Sequence, residues 1–393
     1  MPLLGRRCLV VVLAGLLLAA PPAYAAPDRH SSDGERGVRL TVPDRPGPAE
    51  RSVQRSWRLA PGVGYREWTA SMPQGPVRMH LLGVDLTQPD VSVDLAAGPT
   101  ATRRSTVSRL VSRAGALAGV NGDFFDLGRT GAPLGLGIER ERGLVHGPRV
   151  GWNTCLRLDD AGRARVGTVR VRGGVSRDGR RVVDLDGLNA PVVRPGKVVL
   201  YTPAWGRRPG ARVLGDVDRA RQVGLVDGVV RWSTTEPRSG GPVRGQVLLG
   251  RGRGADALGR LRVGDRVRVA TTTSDRTSRV GVCGSVRLLR GGELARLDDP
   301  WLHPRTAVGV DRDTGRLLLL VADGRSRRSA GLTLRQLARE LRALGADEAL
   351  NLDGGGSSAL VAPDRLGRAG VRNRPSDGAE RRVPNALVVH AVP

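Results

Sequence analysis

A long series of short, valine-rich segments interrupted by glycine constrains the fold of this chain more than any other feature. The 393 residues include 55 glycines. Between residues 151 and 300, glycine, Asp-Gly and proline turns separate segments such as Val182 to Leu185, Val198 to Tyr201 and Val267 to Ala270. Short apolar segments bounded by turn residues are typical of strands. Residues 151–300 are therefore predicted to be predominantly β.

The regions on either side combine strand and helix patterns. Val77 to Leu86 alternates apolar and polar residues, which predicts a strand, and Thr106 to Ala116 has apolar residues at helical spacing. After residue 301, strands are predicted at Thr306 to Val310, Leu317 to Ala322 and Glu348 to Leu352. A helix from about Thr333, stopped by Gly345, lies between the last two strands.

Together these patterns predict an α+β fold. A mixed β-sheet is expected from residues 77–150 and 301–393, with helices packed on it, and the β-rich middle region 151–300 is expected to be inserted or packed alongside. Residues 1–25 are predicted to be a signal peptide, because Arg6 and Arg7 precede an apolar run that ends in a small-x-small cleavage site. Residues 26–56 are predicted to be a flexible leader.

The composition narrows the compartment and the partners. We expect a secreted or cell-envelope protein, exported by the general or the twin-arginine route, with no transmembrane segment in the mature chain. Cys155 and Cys283 remain after cleavage, as a disulfide or as two buried thiols. The net charge of +25 comes from arginine spread along the chain with only 3% aromatic residues, so no nucleic-acid partner is expected. Scattered histidines predict no structural zinc.

Three polar clusters follow or begin predicted strands. Asn351 to Ser358 contains three consecutive glycines, which let backbone amides approach a ligand. Asn121 to Phe125 offers Asp123 for proton transfer, or forms a structural turn. His303 to Ala307, with Asp323 to Arg325 further on, offers two arginines that match the oxygens of a phosphate.

The order of these clusters resembles the phosphodiester glycosidase family. The resemblance rests on Asn121 to Phe125, His303 to Gly309, Asp323 to Arg325 and Asn351 to Ser358, together with the tail that runs from Ser376 to Leu387. It covers roughly residues 75 to 393. It implies that residues 57–150 and 301–393 form the first and C-terminal parts of one phosphodiester glycosidase domain. Asp123 and Ser326 depart from the residues that many family members carry.

The resemblance implies hydrolysis of the sugar C1–O bond of an N-acetylglucosamine-1-phosphodiester-like substrate, giving free sugar and a phosphomonoester. Three carboxylates are the catalytic candidates: Asp353, Asp323 and Asp123. The predicted substrate-binding residues are Asn121, Arg305, Thr306, Arg325, Asn351, Gly354, Gly355, Gly356, Ser357 and Arg381. Arginines and backbone amides would stabilise charge on the departing phosphate oxygen. A Ca²⁺ ion near the carboxylates is a further possibility, although no loop has the spacing of a dedicated calcium site.

Two other functions fit the same residues. A non-catalytic glycan- or wall-polymer-binding protein would bind the substrate without releasing product. A phosphodiesterase would cut the P–O bond and release sugar phosphate. The identity of the product separates all three interpretations.

Overall fold

The structure is a computed structural model that describes residues 37–44, 49–148, 150–215 and 219–392. Within these ranges the chain forms thirty strands and three α-helices. The helices are α1 (Val107–Arg113), α2 (Arg253–Leu258) and α3 (Leu334–Ala343). The strands, in chain order, are β1 (Val38–Arg39), β2 (Glu50–Ala60), β3 (Val63–Met72), β4 (Gly75–Asp85), β5 (Ser92–Ala97), β6 (Ala118–Asn121), β7 (Gly137–Glu139), β8 (Gly143–Pro148), β9 (Thr154–Leu158), β10 (Ala164–Thr168), β11 (Val171–Arg177), β12 (Arg180–Asp184), β13 (Gly187–Leu188), β14 (Val198–Tyr201), β15 (Arg207–Pro209), β16 (Ala220–Val226), β17 (Val229–Thr234), β18 (Ser239–Pro242), β19 (Gln246–Arg251), β20 (Arg268–Thr273), β21 (Val280–Gly284), β22 (Arg287–Arg290), β23 (Glu293–Leu294), β24 (Trp301–Leu302), β25 (Arg305–Asp311), β26 (Arg316–Ala322), β27 (Glu348–Asn351), β28 (Leu360–Pro363), β29 (Ala369–Val371) and β30 (Asn385–His390).

Two antiparallel sheets pack face to face and position the polar clusters. The larger has eight strands in the order β2-β3-β4-β26-β25-β27-β22-β23, and the smaller has five in the order β29-β28-β6-β30-β5. Leu319 and Leu350 of the first sheet share one buried core with Val120 and Leu387 of the second. Because side chains alternate along a strand, the next residues along β26 and β30 point to the opposite faces.

Helices α1 and α3 pack on the outer faces of this sandwich. Leu320 on β26 packs with Leu337 and Leu341 of α3, and Val388 on β30 packs with Leu110 of α1. A capping box starts α3, since the Thr333 side chain accepts from the Gln336 backbone and the Gln336 side chain accepts from the Thr333 backbone. The apolar face predicted for this helix is therefore the face that it buries.

A third sheet is built mainly from the middle region. Its ten strands run in the order β10-β9-β21-β7-β8-β13-β14-β19-β16-β17, and β13 with β14 is its parallel pair. A disulfide joins Cys155 on β9 to Cys283 on β21, where the two residues stand directly opposite each other. The disulfide resolves the two alternatives that the sequence left open. Leu156 and Val282, the neighbours of these cysteines, belong to the core of the sandwich.

The predicted α+β class with a mixed sheet is wrong, because the chain folds into a β-rich structure. The three α-helices have only seven, six and ten residues, and both sheets of the sandwich are antiparallel throughout. The predicted strands and helix of residues 306–352 do form. The error lies in how they connect, since the short turn between β25 and β26 makes a hairpin, whereas parallel strands need a long crossover.

The N-terminal predictions are only partly within the described residues. The predicted signal peptide, residues 1–25, lies outside them. Of the predicted leader, residues 26–56, the structure describes 37–44 and 49–56, which include β1 and the start of β2. The division into 57–150, 151–300 and 301–393 stays a prediction, and the eight-stranded sheet takes strands from all three. In the described part of the chain, no helix has the length and apolar character needed to cross a membrane.

Candidate functional site

Polar side chains lie together at one end of the sandwich, where strands of both sheets end or begin. We call this end the polar edge. β6 and β27 end there in asparagines, and β25 and β30 begin there with Arg305 and Asn385. Antiparallel neighbours bring the end of one strand beside the start of the next, which is why residues far apart in sequence meet. Asn121, for example, pairs across the ladder from Ala386.

Asn121 ties three of these segments together. Its side-chain Nδ2 donates to the backbone oxygen of Asp353 at 2.6 Å. Its Oδ1 accepts from the Thr306 hydroxyl at 2.8 Å and from the backbone amide of Ala359 at 3.1 Å. All four residues are buried. The contacts of Asn121 and Thr306 are thus structural ones that fix the segment carrying Asp353.

Asp123 is a buried carboxyl with an incomplete set of hydrogen bonds. Its Oδ2 accepts from the Gly135 amide at 2.8 Å, while Oδ1 has no hydrogen-bond partner among the described residues. Burial raises the pKa of Asp123 well above its usual range, the Gly135 amide opposes this in part, and the nearby Asp353 raises the pKa further. Burial and the neighbouring carboxyl group therefore favour the protonated form of Asp123.

Asp353 is fully buried beside Asp123. Its backbone amide donates to the Gly122 oxygen at 3.0 Å, which places the segment after β27 against the segment after β6. The electrostatic effect of Asp353 on the pKa of Asp123 shows that the two carboxyl groups act on each other. We call Asp123 and Asp353 the carboxyl pair.

Unusually many buried polar atoms around the carboxyl pair lack a hydrogen-bond partner among the described residues. Buried polar groups in folded proteins are normally satisfied, so each exception asks for an explanation such as a bound ligand or water. These atoms are Asn351 Oδ1, Ser357 Oγ, Ser358 Oγ and Asn385 Nδ2. They include donors and acceptors, which is the mixture that sugar hydroxyl groups require.

The glycine run contributes shape. Gly355 has φ +58°, which favours glycine, and its amide donates to the Pro304 oxygen at 2.9 Å. A Cβ on Gly356 would lie 2.2 Å from Nη2 of Arg381, so glycine lets that guanidinium lie against the backbone. Arg381 Nε also donates to Asp377 at 2.9 Å. The predicted role of the Gly355 amide in binding phosphate competes with its bond to Pro304.

Arg305 and Arg325, which the sequence predicts to bind phosphate, contact protein groups in the structure. Arg305 is buried, its Nε donates to the Leu332 oxygen at 3.0 Å, and its Nη2 contacts Asp299 and the Trp301 oxygen. Arg325 is half-buried and contacts Nδ1 of His303 at 3.1 Å. Arg305 therefore braces the start of β25 in this structure.

Asp323 lies at the end of β26 in a different environment from the carboxyl pair. Its Oδ1 accepts from the Arg374 amide at 2.9 Å and from Asn373 Nδ2 at 3.3 Å. Its Oδ2 lies 3.5 Å from Nε2 of the buried His80. Asn373 Nδ2 also donates to the Ser358 oxygen at 3.0 Å, so Asp323 supports the serine segment from behind.

Three residues that the sequence analysis did not select complete the surroundings of Asp123. Oδ1 of Asn385 accepts a hydrogen bond from the Asp123 backbone amide at 2.9 Å. Nδ1 of buried His146 contacts the Gly135 oxygen at 3.0 Å. Burial lowers the pKa of His146 to about 4, so it is neutral at pH 7. A Cβ on Gly135 would lie 2.6 Å from Cys283 Cβ and 2.7 Å from Asp123 Oδ2. The glycine-rich continuation after Phe125 was the available signal for Gly135.

No group of three or more metal-binding His, Cys, Asp or Glu side chains occurs among the described residues. The possibility of Ca²⁺ stays an untested prediction. The polar edge offers two interacting carboxyl groups and hydroxyl and amide groups around them. This arrangement can protonate a leaving group, stabilise positive charge on carbon and bind a polyol.

Comparison with solved structures shows the fold. A hypothetical protein from Synechocystis matches with a TM-score of 0.73 and 21% identity over 87% of this chain, which spans 64% of that protein. A Burkholderia pseudomallei protein described as exported matches with a TM-score of 0.70 and 20% identity over 91% of this chain and 100% of its own. The catalytic domain of zebrafish N-acetylglucosamine-1-phosphodiester alpha-N-acetylglucosaminidase aligns at a TM-score of only 0.43, which does not show a shared fold.

Comparison of sequences finds a family match over part of the chain. A prophage-derived uncharacterised protein of Bacillus subtilis, YomE, is 38% identical over 87 residues, which are 22% of this chain and 13% of YomE. The phosphodiester glycosidase family matches residues 220–390, a range that includes Arg305, Asp323 and Asp353. The resemblance to the phosphodiester glycosidase family is thus confirmed, and residues 220–390 of this chain carry the matching domain.

Proposed function

We propose that this protein is an exported phosphodiester glycosidase. It hydrolyses the C1–O bond between a sugar, such as N-acetylglucosamine, and a phosphodiester, and it releases free sugar and a phosphomonoester. The family match supports a glycosidase, and the neighbour described as exported supports an extracytoplasmic location. The observation that carries the proposal is the buried carboxyl pair, in which one pKa is raised.

The two carboxyl groups have different roles in this proposal. Asp123, whose protonated form is favoured by burial, gives its proton to the phosphate oxygen as the C1–O bond breaks. Asp353 stabilises the positive charge that develops on C1, and water then adds to C1 and returns one proton to Asp123. Two carboxyl groups whose environments separate their pKa values are the usual basis for such a division.

The surrounding groups bind the substrate in this proposal. Asn351, Ser357, Ser358 and Asn385 offer polar atoms to the sugar hydroxyl groups. Arg381, packed on Gly356, is the arginine that we assign to the leaving phosphate. Arg381 also pairs with Asp377 and keeps this contact in the proposal. Arg305, which is buried and donates to the Leu332 oxygen, holds β25 in place, and Asp323 supports the serine segment. This replaces the phosphate-binding role predicted for Arg305.

The test is hydrolysis of an α-N-acetylglucosamine phosphodiester in H₂¹⁸O, with mass spectrometry of both products. Cleavage of C1–O places the label in the free sugar and leaves the phosphomonoester unlabelled. Sugar phosphate as a product, with the label on phosphorus, would identify a phosphodiesterase. Substrate binding without any product would identify a glycan-binding protein.

Two variants link the outcome to the site. Asp353→Asn should abolish release of sugar. Asp298→Asn changes an exposed aspartate in the same way and should keep the activity of the unchanged protein. Equal activity of the two variants would remove Asp353 from the mechanism.

A further inference from the structure

A second site lies on the opposite end of the loop that carries Asp123. A cleft of about 380 Å³ opens beside the two-stranded ribbon that β15 and β18 form. This volume is in the range of pockets that hold small ligands. Three arginines, Arg207, Arg208 and Arg212, line the cleft together with the hydroxyl-bearing residues Thr102, Thr130 and Ser239.

Among the described residues, no carboxylate balances the charge of this cleft. No described carboxylate lines it, and none of its three arginines forms an ion pair with a described residue. A second cleft of about 540 Å³ offers a contrast, because Asp178 and Asp227 line it with Arg266 and Arg268. Among the described residues, the two clefts therefore differ in whether carboxylates accompany the arginines.

The arginine cleft is also pre-organised. Arg208 Nε donates to the Gly240 oxygen at 2.7 Å, which fixes one guanidinium. Gly240 and Gly241 have φ of +69° and +66°, and a Cβ on Gly241 would lie 2.9 Å from Nη2 of Arg208. The lack of a side chain at Gly241 thus leaves room for the Arg208 guanidinium. A guanidinium held in this way loses little conformational freedom when it binds an oxyanion.

One loop contributes residues to both the cleft and the carboxyl pair. The Leu134 amide donates to the Phe124 oxygen at 2.8 Å, so the loop folds back on itself directly after Asp123. At its far end, Thr130 donates to Asp126 at 2.7 Å and lines the cleft. Neither carboxyl of the pair lines the cleft. An anion bound there is therefore a different group from the phosphate at the bond that is cleaved.

We propose that the cleft formed by Arg207, Arg208 and Arg212 binds a second phosphate of the substrate. The substrate class is then an oligomer linked by several phosphodiesters. This description of the substrate rests on the proposed glycosidase function, whereas the capacity of the cleft to bind phosphodiesters does not. Guanidinium groups pair with phosphate oxygens through charge-assisted hydrogen bonds, and the threonine and serine hydroxyls supply additional donors.

The experiment measures binding, so that it gives a result even if the protein hydrolyses nothing. The probe is fluorescently labelled oligo(glycerol phosphate), which has repeated phosphodiesters and no sugar. The double variant Arg207→Gln and Arg212→Gln should bind it at least about tenfold more weakly than the unchanged protein, because hydrogen bonds to charged groups are lost. The double variant Arg266→Gln and Arg268→Gln removes the same charge from exposed positions and should bind normally.

Three results would overturn the proposal: unchanged binding after loss of Arg207 and Arg212, an equal loss in the control pair, or equal affinity for a carboxylate polymer of the same charge density. The first excludes the cleft, the second shows general attraction to a basic surface, and the third excludes recognition of phosphate. Because the probe carries no sugar and only its binding is measured, the result separates failure of the cleft from failure of the carboxyl pair.

Discussion

Asp123 and Asp323 are both buried aspartates within two residues of the buried end of a strand, yet their surroundings differ. Asp323 accepts from the Arg374 amide and from Asn373, and its other oxygen faces His80. Asp123 accepts from the Gly135 amide through one oxygen, and its other oxygen has no hydrogen-bond partner among the described residues. Burial together with a second carboxyl raises the pKa of Asp123.

The comparison teaches that the position of a carboxylate at a strand end does not decide its role. A carboxylate whose oxygens are satisfied by backbone and amide donors stabilises the fold, and its loss leaves those donors unpaired. A buried carboxyl that is partly unsatisfied and faces a second carboxyl is destabilised in its charged form, which suits proton transfer.

The largest effect is expected on catalysis. Asp353→Asn should lower kcat by about 10⁴-fold, because the carboxylate that we propose to stabilise the charge on C1 is lost. Asp123→Asn should lower kcat by about 10²-fold, since phosphate leaves readily with little help from an acid. Asp323→Asn keeps an oxygen acceptor for Arg374 and should stay within about tenfold of the unchanged protein. The measurement is steady-state kinetics on folded variants. If Asp323→Asn were as inactive as Asp353→Asn, Asp323 could not be assigned a purely stabilising role.

The disulfide should stabilise the side of the molecule that holds Asp123. Its cysteines are 128 residues apart, and replacing both with serine should lower the free energy of unfolding by about 4 kcal/mol in urea titrations. Because Cys283 packs against Gly135, hydrogen exchange at the Gly135 amide should accelerate more than at the Arg374 amide, which holds Asp323. Equal acceleration at both amides would mean that the disulfide acts on the whole fold.

Local structure was predictable from the sequence because periodicity reports it directly. The apolar face of α3 and the strands β25, β26 and β27 follow from residue spacing and from Thr333 and Gly345 as start and stop. The β-rich middle followed from its short valine segments. The antiparallel arrangement of the sheets could not be predicted from the sequence. Strand pairing depends on partners distant in sequence, such as β26 with β4.

The site was predictable as a set of segments but not as a set of roles. The motifs placed Asn121, Asp123, Asn351 and Asp353 correctly at strand ends. The bond of Asn121 to Asp353 spans 232 residues, and the engagement of Arg305 by Asp299 depends on how β24 meets β25. No residue type or spacing distinguishes a phosphate-binding arginine from one that braces a strand. That distinction requires the three-dimensional contacts.

His146 should make the Asp123 side sensitive to acid. Its pKa is about 4 in the folded protein and about 6.5 in an unfolded chain. Between these values the unfolded state binds more protons, so the stability is fully present above pH 6.5 and falls as the pH drops toward 4. The loss is on the order of 3 kcal/mol. His146→Gln should flatten this part of the profile in thermal unfolding, and His390→Gln at the end of β30 should not.

The smallest effect is expected from removing the Tyr65 hydroxyl, which contacts His80 beside Asp323. The hydroxyl of Tyr65 lies 2.7 Å from Nδ1 of His80 and donates to Glu67 at 3.1 Å, so Tyr65→Phe removes contacts that hold His80 beside Asp323. The free energy of unfolding should fall by about 1 kcal/mol. The matched variant is Tyr201→Phe, which removes another buried hydroxyl, one that donates to the Ala190 oxygen at 2.9 Å.

Both tyrosine variants should keep kcat if the groups around Asp323 serve only the fold. Tyr65 reaches Asp323 through His80, and also through Glu67 and Arg78, whose backbone oxygen accepts from the Asp323 amide. An effect on catalysis therefore requires that these contacts position or move a proton. A fall in kcat of more than about tenfold in Tyr65→Phe alone, at equal folded fraction, would show that Asp323 takes part in the chemistry. The division between a stabilising and a reactive aspartate would then have to be redrawn.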